Sequence, residues 1–325
     1  MAAAAGVSQA TVSRVLTGSA RVTTQVRQRV HAALGSLGYQ RRQRLAGTTS
    51  SGAPAAVALL IGRSTSRMFA DPYFARLVAG VEQALSREGI SLVLTSSCSD
   101  ALHSTERFLA GRHADALLVA SLHKEDPLAT VVAGAGVPLR WIGRPPGRAS
   151  GRYVDVDNAG GARQAVEYLA HQGRRVITNI AGPPGVSAAD GRLTGYRSAL
   201  ASAGLPVPPV AHGDFTQGSG AHAMNWLLDR QPRLDAVFVA SDLMAVGALH
   251  ALRRAGRRVP DDVAVIGFDD AAVARMATPA LSTVRQPIET LGRLAAELLL
   301  TDLSTPGEPS GDAVLPIELV LRESA

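Results

Sequence analysis

The 325-residue chain holds one cysteine, Cys98, which excludes an internal disulfide and argues against a cysteine-built metal cluster. No run of 18 apolar residues occurs, so nothing reads as a membrane span. The apolar start, Met1 to Gly6, is too short for a secretory core, and Arg14 follows it rather than precedes it. These absences point to a cytoplasmic protein. Catalytic signatures are missing as well: there is no Gly-x-Ser-x-Gly, no phosphate loop ending in Gly-Lys-Ser/Thr and no His-Glu-x-x-His. His103, His113 and His123 recur every ten residues, a period that shares no helical face, and the adjacent carboxylates Asp269 and Asp270 diverge rather than pair. No catalytic residue, metal or cofactor is expected.

The sharpest absence is local. No Asp or Glu precedes Asp71, while residues 1–55 carry Arg14, Arg21, Arg27, Arg29, Arg41, Arg42 and Arg44. That +7 exceeds the +6 of the whole chain, so the remainder nets −1. A solvated basic face is normally interleaved with acids; an unrelieved one fits a polyanion, whose phosphates supply sequence-independent affinity.

What is present near the N-terminus suits that partner. Ala5-Gly6-Val7-Ser8-Gln9-Ala10-Thr11-Val12-Ser13-Arg14-Val15-Leu16 reads as the turn and second helix of a helix-turn-helix. Ala5 lets two helices approach, Gly6 accepts the positive φ of a sharp turn, and Ser8 can cap the next helix. Val12, Val15 and Leu16 fall at i, i+3 and i+4 and form an inward stripe. Gln9, Ala10, Ser13 and Arg14 are left outside, at the helix start that meets base edges in such motifs. A helix that merely packs has the same period; the surrounding charge favours the DNA-binding reading. A further helix spans 24–37, with Thr23 as its cap and a possible phosphate site. The basic run Arg41-Arg42-Gln43-Arg44 and a polar Gly/Ser/Thr linker follow.

From Ala56 the texture changes. Short apolar runs at 56–61, 91–95, 116–119, 139–142, 153–156, 176–180, 236–239 and 263–266 alternate with helical patterns such as 73–87, 158–171, 187–203 and 242–255. Continuous apolar strands between helices predict parallel sheets covered on both faces. The length calls for two α/β lobes, with ligands beyond the carboxyl ends of the strands.

These fragments together resemble the LacI/GalR family of transcriptional repressors over nearly the whole chain. The headpiece resemblance rests on Ala-Gly-Val-Ser, on Thr11-Val12-Ser13-Arg14-Val15-Leu16 and on Leu37-Gly38-Tyr39. In the core it rests on Asp71-Pro72-Tyr73-Phe74, Val156-Asp157-Asn158, Arg192-Leu193-Thr194-Gly195-Tyr196 and Ser241-Asp242-Leu243-Met244-Ala245. Val259-Pro260-Asp261-Asp262-Val263, Gly267-Phe268-Asp269-Asp270 and Leu281-Ser282-Thr283-Val284-Arg285-Gln286-Pro287 complete it. The resemblance implies an α/β fold: a helix-turn-helix headpiece and hinge (1–47), a linker (48–55) and a two-lobed, periplasmic-binding-protein-like (type I) effector domain (56–325). The N-lobe is expected at 56–155 with a return segment near 287–315, the C-lobe at 156–284, and a last strand between 315 and 321. Three crossovers should join the lobes. A homodimer on a palindromic double-stranded operator is implied, with a small-molecule effector between the lobes.

Carried over residue by residue, Gln9 and Ala10 select bases, Gln through a bidentate pair with adenine and Ala through a thymine methyl. Thr11, Ser13 and Thr23 hold phosphates, Ser8 stands among them, and Arg14 reaches either a guanine or a phosphate. Leu45 is either a minor-groove wedge or passive. Two departures stand out. The chain begins at mid-helix one, so either the natural start lies upstream of Met1 or the headpiece is weakly folded. The hinge lacks the family's Tyr-x-Pro-Asn and is about three residues shorter.

For the effector, the resemblance implies Asp71, Phe74, Arg192, Phe215, Ser241, Asp269 and Gln286, with Arg192 forking onto vicinal hydroxyls and Asp269 accepting from others. Asp71 could equally cap the following helix behind Pro72, Phe74 could be core, and Asp157-Asn158 could simply start a helix. Ser241 replaces a usual Asn and Gly143 a usual Asp, so the pocket admits a bulkier or shifted molecule. A sugar or sugar derivative is the commonest effector class; a nucleobase is the alternative. A solute-binding module without gene-regulatory activity would carry a signal peptide and no basic headpiece, the reverse of what this chain has.

Overall fold

The computed structural model describes residues 2–8, 11–12, 15, 23–36, 54–96, 102–111, 113–147, 149–305, 307 and 310–325, and the chain divides into two units, Met1–Leu45 and Ala46–Ala325. In the first unit a four-residue helix, Ala2–Ala5, ends at Gly6, whose φ is +60°. A side chain at Gly6 would also strike the Arg29 guanidinium. Ser8 opens the next turn: the Thr11 amide donates to its Oγ at 3.2 Å, and the Thr11 and Val12 amides donate to its carbonyl at 3.0 and 3.1 Å. Ala5, Val12 and Val15 bury against Val30 and Ala33 of the helix Thr24–Ser36. Thr23 is exposed directly ahead of that helix. Gln9, Ala10, Ser13, Arg14 and Leu45 lie outside the described residues, as does the hinge.

Arg29 has a role the sequence did not suggest. Its Nη2 donates to the carbonyls of Ala5 (2.8 Å) and Gly6 (3.2 Å), closing the open end of the first short helix. One of the seven headpiece arginines therefore braces the turn.

The second unit holds two six-stranded sheets. In the N-lobe, β1 (Ala56–Ile61), β2 (Ser91–Ser96), β3 (Ala116–Ala120), β4 (Leu139–Ile142), β5 (Tyr153–Val156) and β11 (Ala313–Leu315) stand in the order β11-β5-β4-β3-β1-β2. In the C-lobe, β6 (Ile177–Ala181), β7 (Val210–His212), β8 (Ala236–Val239), β9 (Ala264–Asp269), β10 (Ser282–Arg285) and β12 (Glu318–Val320) stand in the order β12-β10-β9-β8-β6-β7. All pairs are parallel except β10 with β12. The apolar runs are continuous because helices cover both faces: along β1, Val57, Leu59 and Ile61 enter one core with Leu77 and Leu291, while Ala58 and Leu60 enter another with Val132 and Trp141. In the C-lobe, Val237 and Val239 pack with Leu227 and Leu252, and Phe238 packs with Val166 and Tyr196.

The chain passes between the sheets three times: after β5, after β10, and between β11 and β12. The last two strands split the segment expected as one C-terminal strand, Leu315 ending the N-lobe sheet and Glu318–Val320 completing the other. The helix Ile288–Ser304 returns to the N-lobe and lies close on the helix Pro72–Arg87, since Gly80 meets the Glu289 carbonyl and Gly292 the Leu77 carbonyl with no side chain between. β9 runs to Asp269, three residues past the expected 266, and this extension carries a carboxylate to the strand end. Among the described residues no helix is long and apolar enough to cross a membrane, and no group of three or more His, Cys, Asp and Glu could hold a metal ion.

Arg29→Ala should loosen the first unit by about 1 kcal/mol, the scale of a partly exposed charge-assisted hydrogen bond. Hydrogen exchange at the Ala5–Val12 amides is expected to quicken severalfold; an unchanged rate would remove Arg29 from the turn's support.

Candidate functional site

The carboxyl ends of strands from both sheets face a cavity of about 420 Å³ between the lobes. On the C-lobe side Arg192, from the helix Ser187–Ser202, is almost fully buried. Its Nε donates to Asn158 Oδ1 at 2.9 Å and its Nη1 to the Ala240 carbonyl at 2.5 Å, and its Cζ lies over the Phe268 ring, 3.7 Å from the centroid. Asp269 Oδ1 stands 3.5 Å from Nη1 and accepts from Gln286 Nε2 at 2.6 Å. Asn158 continues the chain, its Nδ2 donating to Asp155 Oδ1 at 3.1 Å. A polar path thus runs Asp155–Asn158–Arg192–Asp269–Gln286 along the floor. Arg192 Nη2 has no partner among the described residues, so one arm of the fork remains for a ligand.

All seven residues expected from the sequence line this one cavity. Asp71 both lines it and caps the helix Pro72–Arg87, the Tyr73 amide donating to its Oδ1 at 3.0 Å. Phe74 is only 5 % exposed, set edge-on to Tyr73 within the N-lobe core, and so belongs to the core while also lining the cavity. Ser241 caps the helix Asp242–Arg254 through the Met244 amide at 3.4 Å. Phe215 takes φ +71°, which turns a half-buried ring into the cavity wall. Asp157 is the helix cap anticipated for the Asp157-Asn158 pair, accepting from the Gly160 amide at 2.8 Å. Asn158 is more than that, since its side chain joins Asp155 to Arg192.

Asp269 and Asp270 are consecutive non-glycine residues at positive φ, +117° and +51°, a conformation that persists only under outside support. Three arginines surround Asp270: Arg285 at 2.7 Å, Arg322 at 2.6 Å and Arg275 at 3.6 Å. Arg76 Nη1 reaches the Asp269 carbonyl at 3.3 Å.

Residues 1–42 match the family model for bacterial regulatory proteins, lacI family, and residues 166–325 match that for the periplasmic binding protein-like domain. The chain is 45 % identical to the HTH-type transcriptional regulator CelR of Thermobifida fusca, over 100 % of this chain and 96 % of that one. The chain belongs to the LacI family. It is a transcriptional regulator of that family, and CelR is a regulator rather than an enzyme. A solved CelR–cellobiose complex superposes with a TM-score of 0.81 at 43 % identity, covering 100 % of this chain and 98 % of that one. The lac repressor dimer bound to operator and an anti-inducer gives 0.72 at 28 % identity, covering 99 % and 97 %.

In this LacI-family regulator the two rims also touch directly. Arg67 Nη2 meets Asp214 Oδ2 at 2.7 Å, its Nη1 meets the Asp214 carbonyl at 3.3 Å, and the Arg67 guanidinium holds the Asp214 carboxyl well below its ordinary range. Elsewhere the Lys124 amide donates to the Gly185 carbonyl at 2.9 Å, and His123 Nε2 lies 2.6 Å from the Pro184 carbonyl. Sequence reasoning missed Arg63, Arg67, Asp155 and Asp214. None belongs to a recognisable motif, and Arg67 and Asp214 lie 147 positions apart.

Burial pushes the Asp269 carboxyl up to about 7, against the pull of Arg192 and with Asp71 adding to the rise. Burial likewise raises Asp71 and Asp155, and raises Asp242 behind the site, where the charge of Asp269 adds to it. A carboxyl with a raised folded pKa keeps its proton in the fold and loses it on unfolding, so stability falls as pH climbs from the unfolded value of about 4 through the folded one. The melting midpoint should therefore drop between about pH 5 and pH 8, with a shallower drop for Asp269→Asn; parallel slopes would contradict the assignment. The half-exposed Arg67–Asp214 pair is worth under about 1 kcal/mol. Arg67→Ala should leave the midpoint nearly unchanged yet speed exchange of a cleft-bound ligand in stopped-flow fluorescence, and equal rates would show that the pair does not gate the cavity.

Proposed function

We propose that this regulator binds a palindromic operator as a homodimer in the cytoplasm, and that a sugar of the cellobiose class in the interlobe cavity sets its affinity for DNA. The observation that carries the reading is the cavity's chemistry. A guanidinium with a free arm, carboxylates that accept hydroxyl protons and the Phe215 ring together suit a neutral, polyhydroxylated ring better than an anion or a flat apolar molecule. The likeness to the CelR–cellobiose complex over the whole chain supports the same class.

In this reading residues 1–47 form the headpiece and hinge, 48–55 the linker and 56–325 the effector and dimerisation domain. Gln9 and Ala10 select bases. Ser8, Thr11, Ser13 and Thr23 contact or position phosphates, Arg14 adds a groove or phosphate contact, and Leu45 enters the minor groove. Asp71, Phe74, Arg192, Phe215, Ser241, Asp269 and Gln286 contact the effector. Ligand binding shifts a two-state equilibrium by no more than its differential affinity for the two cleft geometries.

Operator affinity measured by fluorescence anisotropy, with and without cellobiose, tests the reading. Cellobiose is expected to change the dissociation constant at least fivefold, a coupling of about 1 kcal/mol. In Phe215→Ala that response should shrink while sugar-free affinity stays within a factor of two. If cellobiose has no effect on the wild type but a nucleobase does, the sugar assignment is wrong.

A further inference from the structure

The charges lining the cavity do not pair off evenly. Arg67 has Asp214 at 2.7 Å, Arg192 has Asp269 at 3.5 Å and Arg144 has Asp155 at 3.8 Å. Arg63 has no carboxylate within ion-pair range among the described residues. Its Nη1 donates to the Gly62 carbonyl at 3.2 Å, which anchors the guanidinium beside the end of β1, and its Nη2 is buried without a hydrogen-bond partner. Burial, and then the charge of Arg67, press against its protonated form, while Asp71, Asp126 and Asp214 favour it only from a distance. A buried donor on a charged group is costly to leave unpaired, and a fold built this way suits a site where an acceptor arrives with a ligand.

The wall around Arg63 says what kind of ligand. β1, β3, β4 and β5 are successive neighbours in the sheet, and their carboxyl ends bring Arg63, Ser121, Gly143 and Asp155 to the cavity in that order. Three strand spacings of about 4.8 Å make this wall roughly 14 Å long, more than a single pyranose occupies. Its middle is open: Gly143 has φ +87°, and no atom lies within 4 Å of the position a side chain would begin from. Asp71 is the lining carboxylate outside those pairs and shares the wall with Arg63, so a ligand with a full negative charge near Arg63 meets its opposition. A hydroxyl or ring oxygen accepts from Arg63 without that opposition.

We propose that Arg63 is a specificity-determining residue of the effector site: its guanidinium, with one nitrogen unpartnered inside the protein, donates to an oxygen on the second ring of a neutral disaccharide whose first ring lies against Arg192 and Asp269. The assignment rests on the sugar reading above. It makes the N-lobe wall a second sugar subsite, and Gly143 the residue whose lack of a side chain gives that ring its space.

Titration calorimetry of the full chain with cellobiose and with glucose tests it, alongside sugar-free melting of each variant. In Arg63→Met the preference for cellobiose over glucose should fall at least tenfold. Its sugar-free melting midpoint should equal or exceed that of the wild type, because a buried unpaired charge is gone. Cellobiose binding that survives the substitution, an equal loss for both sugars, or a lowered midpoint would each overturn the role of Arg63 while leaving the sugar reading in place. Wild-type protein that binds neither sugar would overturn the sugar reading, and the second subsite with it.

Discussion

A guanidinium as buried as that of Arg192 needs partners within the protein, and meeting that need organises the cavity. Nε is taken by Asn158, Nη1 by the Ala240 carbonyl with Asp269 beside it, and the π face by Phe268. Those partners come from the start of the Asn158–His171 helix, the end of β8 and the end of β9. One side chain therefore fixes the relative positions of three elements. Removing any of these partners strands a buried charge in a low dielectric, so the floor of the cavity is rigid wherever Arg192 touches it. Rigidity here also pre-orients the arm left over for a ligand, and it limits the entropy lost on binding.

The opposite wall is built on another logic. The N-lobe wall is incompletely filled: Arg63, after β1, has an unpartnered nitrogen, Asp71 is shared between a helix cap and the cavity, and Gly143, after β4, has nothing beyond it. The C-lobe side is held by internal bonds with one Arg192 arm to spare, whereas the N-lobe side leaves more of its polar groups to be completed from outside. That asymmetry is concentrated in the loops that follow parallel strands, where side chains can vary without disturbing the apolar runs beneath them.

Much of this was legible in the sequence. Alternating apolar runs and helical patterns announced parallel sheets, because strands covered on both faces must be apolar throughout. Asp71, Arg192, Ser241, Asp269 and Gln286 were recognisable because each stands in a fragment that resembles the family's, Arg192 inside a helix and the others at helix caps or strand ends, and these fragments converge on one cavity. The strands β7 and β10 and the extension of β9 were not named as strands: β7 is only Val-Ala-His, and Ser282-Thr283-Val284-Arg285 holds a single apolar residue, so neither shows as an apolar run. Arg63, Arg67 and Asp155 were missed for a different reason. Their importance comes from what stands opposite them, and Arg67 finds its partner 147 residues away. Arg29 shows the same limit on a smaller scale: as one arginine in a basic stretch it reads as surface charge, yet its Nη2 is spent on two carbonyls across the turn.

The placement of the three chain passages has a mechanical consequence. On the N-lobe side they meet β5 and β11, and on the C-lobe side β10, β12 and the helix Asn158–His171, which lies against β10 and β12 on its way to β6, so all three cross at one edge of each sheet. Arg67 and Asp214 follow β1 and β7, toward the opposite edges, and Thr65 beside Arg67 bonds Ser96 at the end of edge strand β2 at 2.7 Å. The lobes form a lever whose pivot is the passage edge. Five strand spacings of about 4.8 Å give an arm of roughly 24 Å, so a hinge rotation of about 10° parts the far edge by about 4 Å. Beside Gln286, next to the pivot, the same rotation moves atoms by only a fraction of that. Sensing and displacement are therefore separated along one axis: the polar floor holds its geometry near the fulcrum while the far rim sweeps the distance.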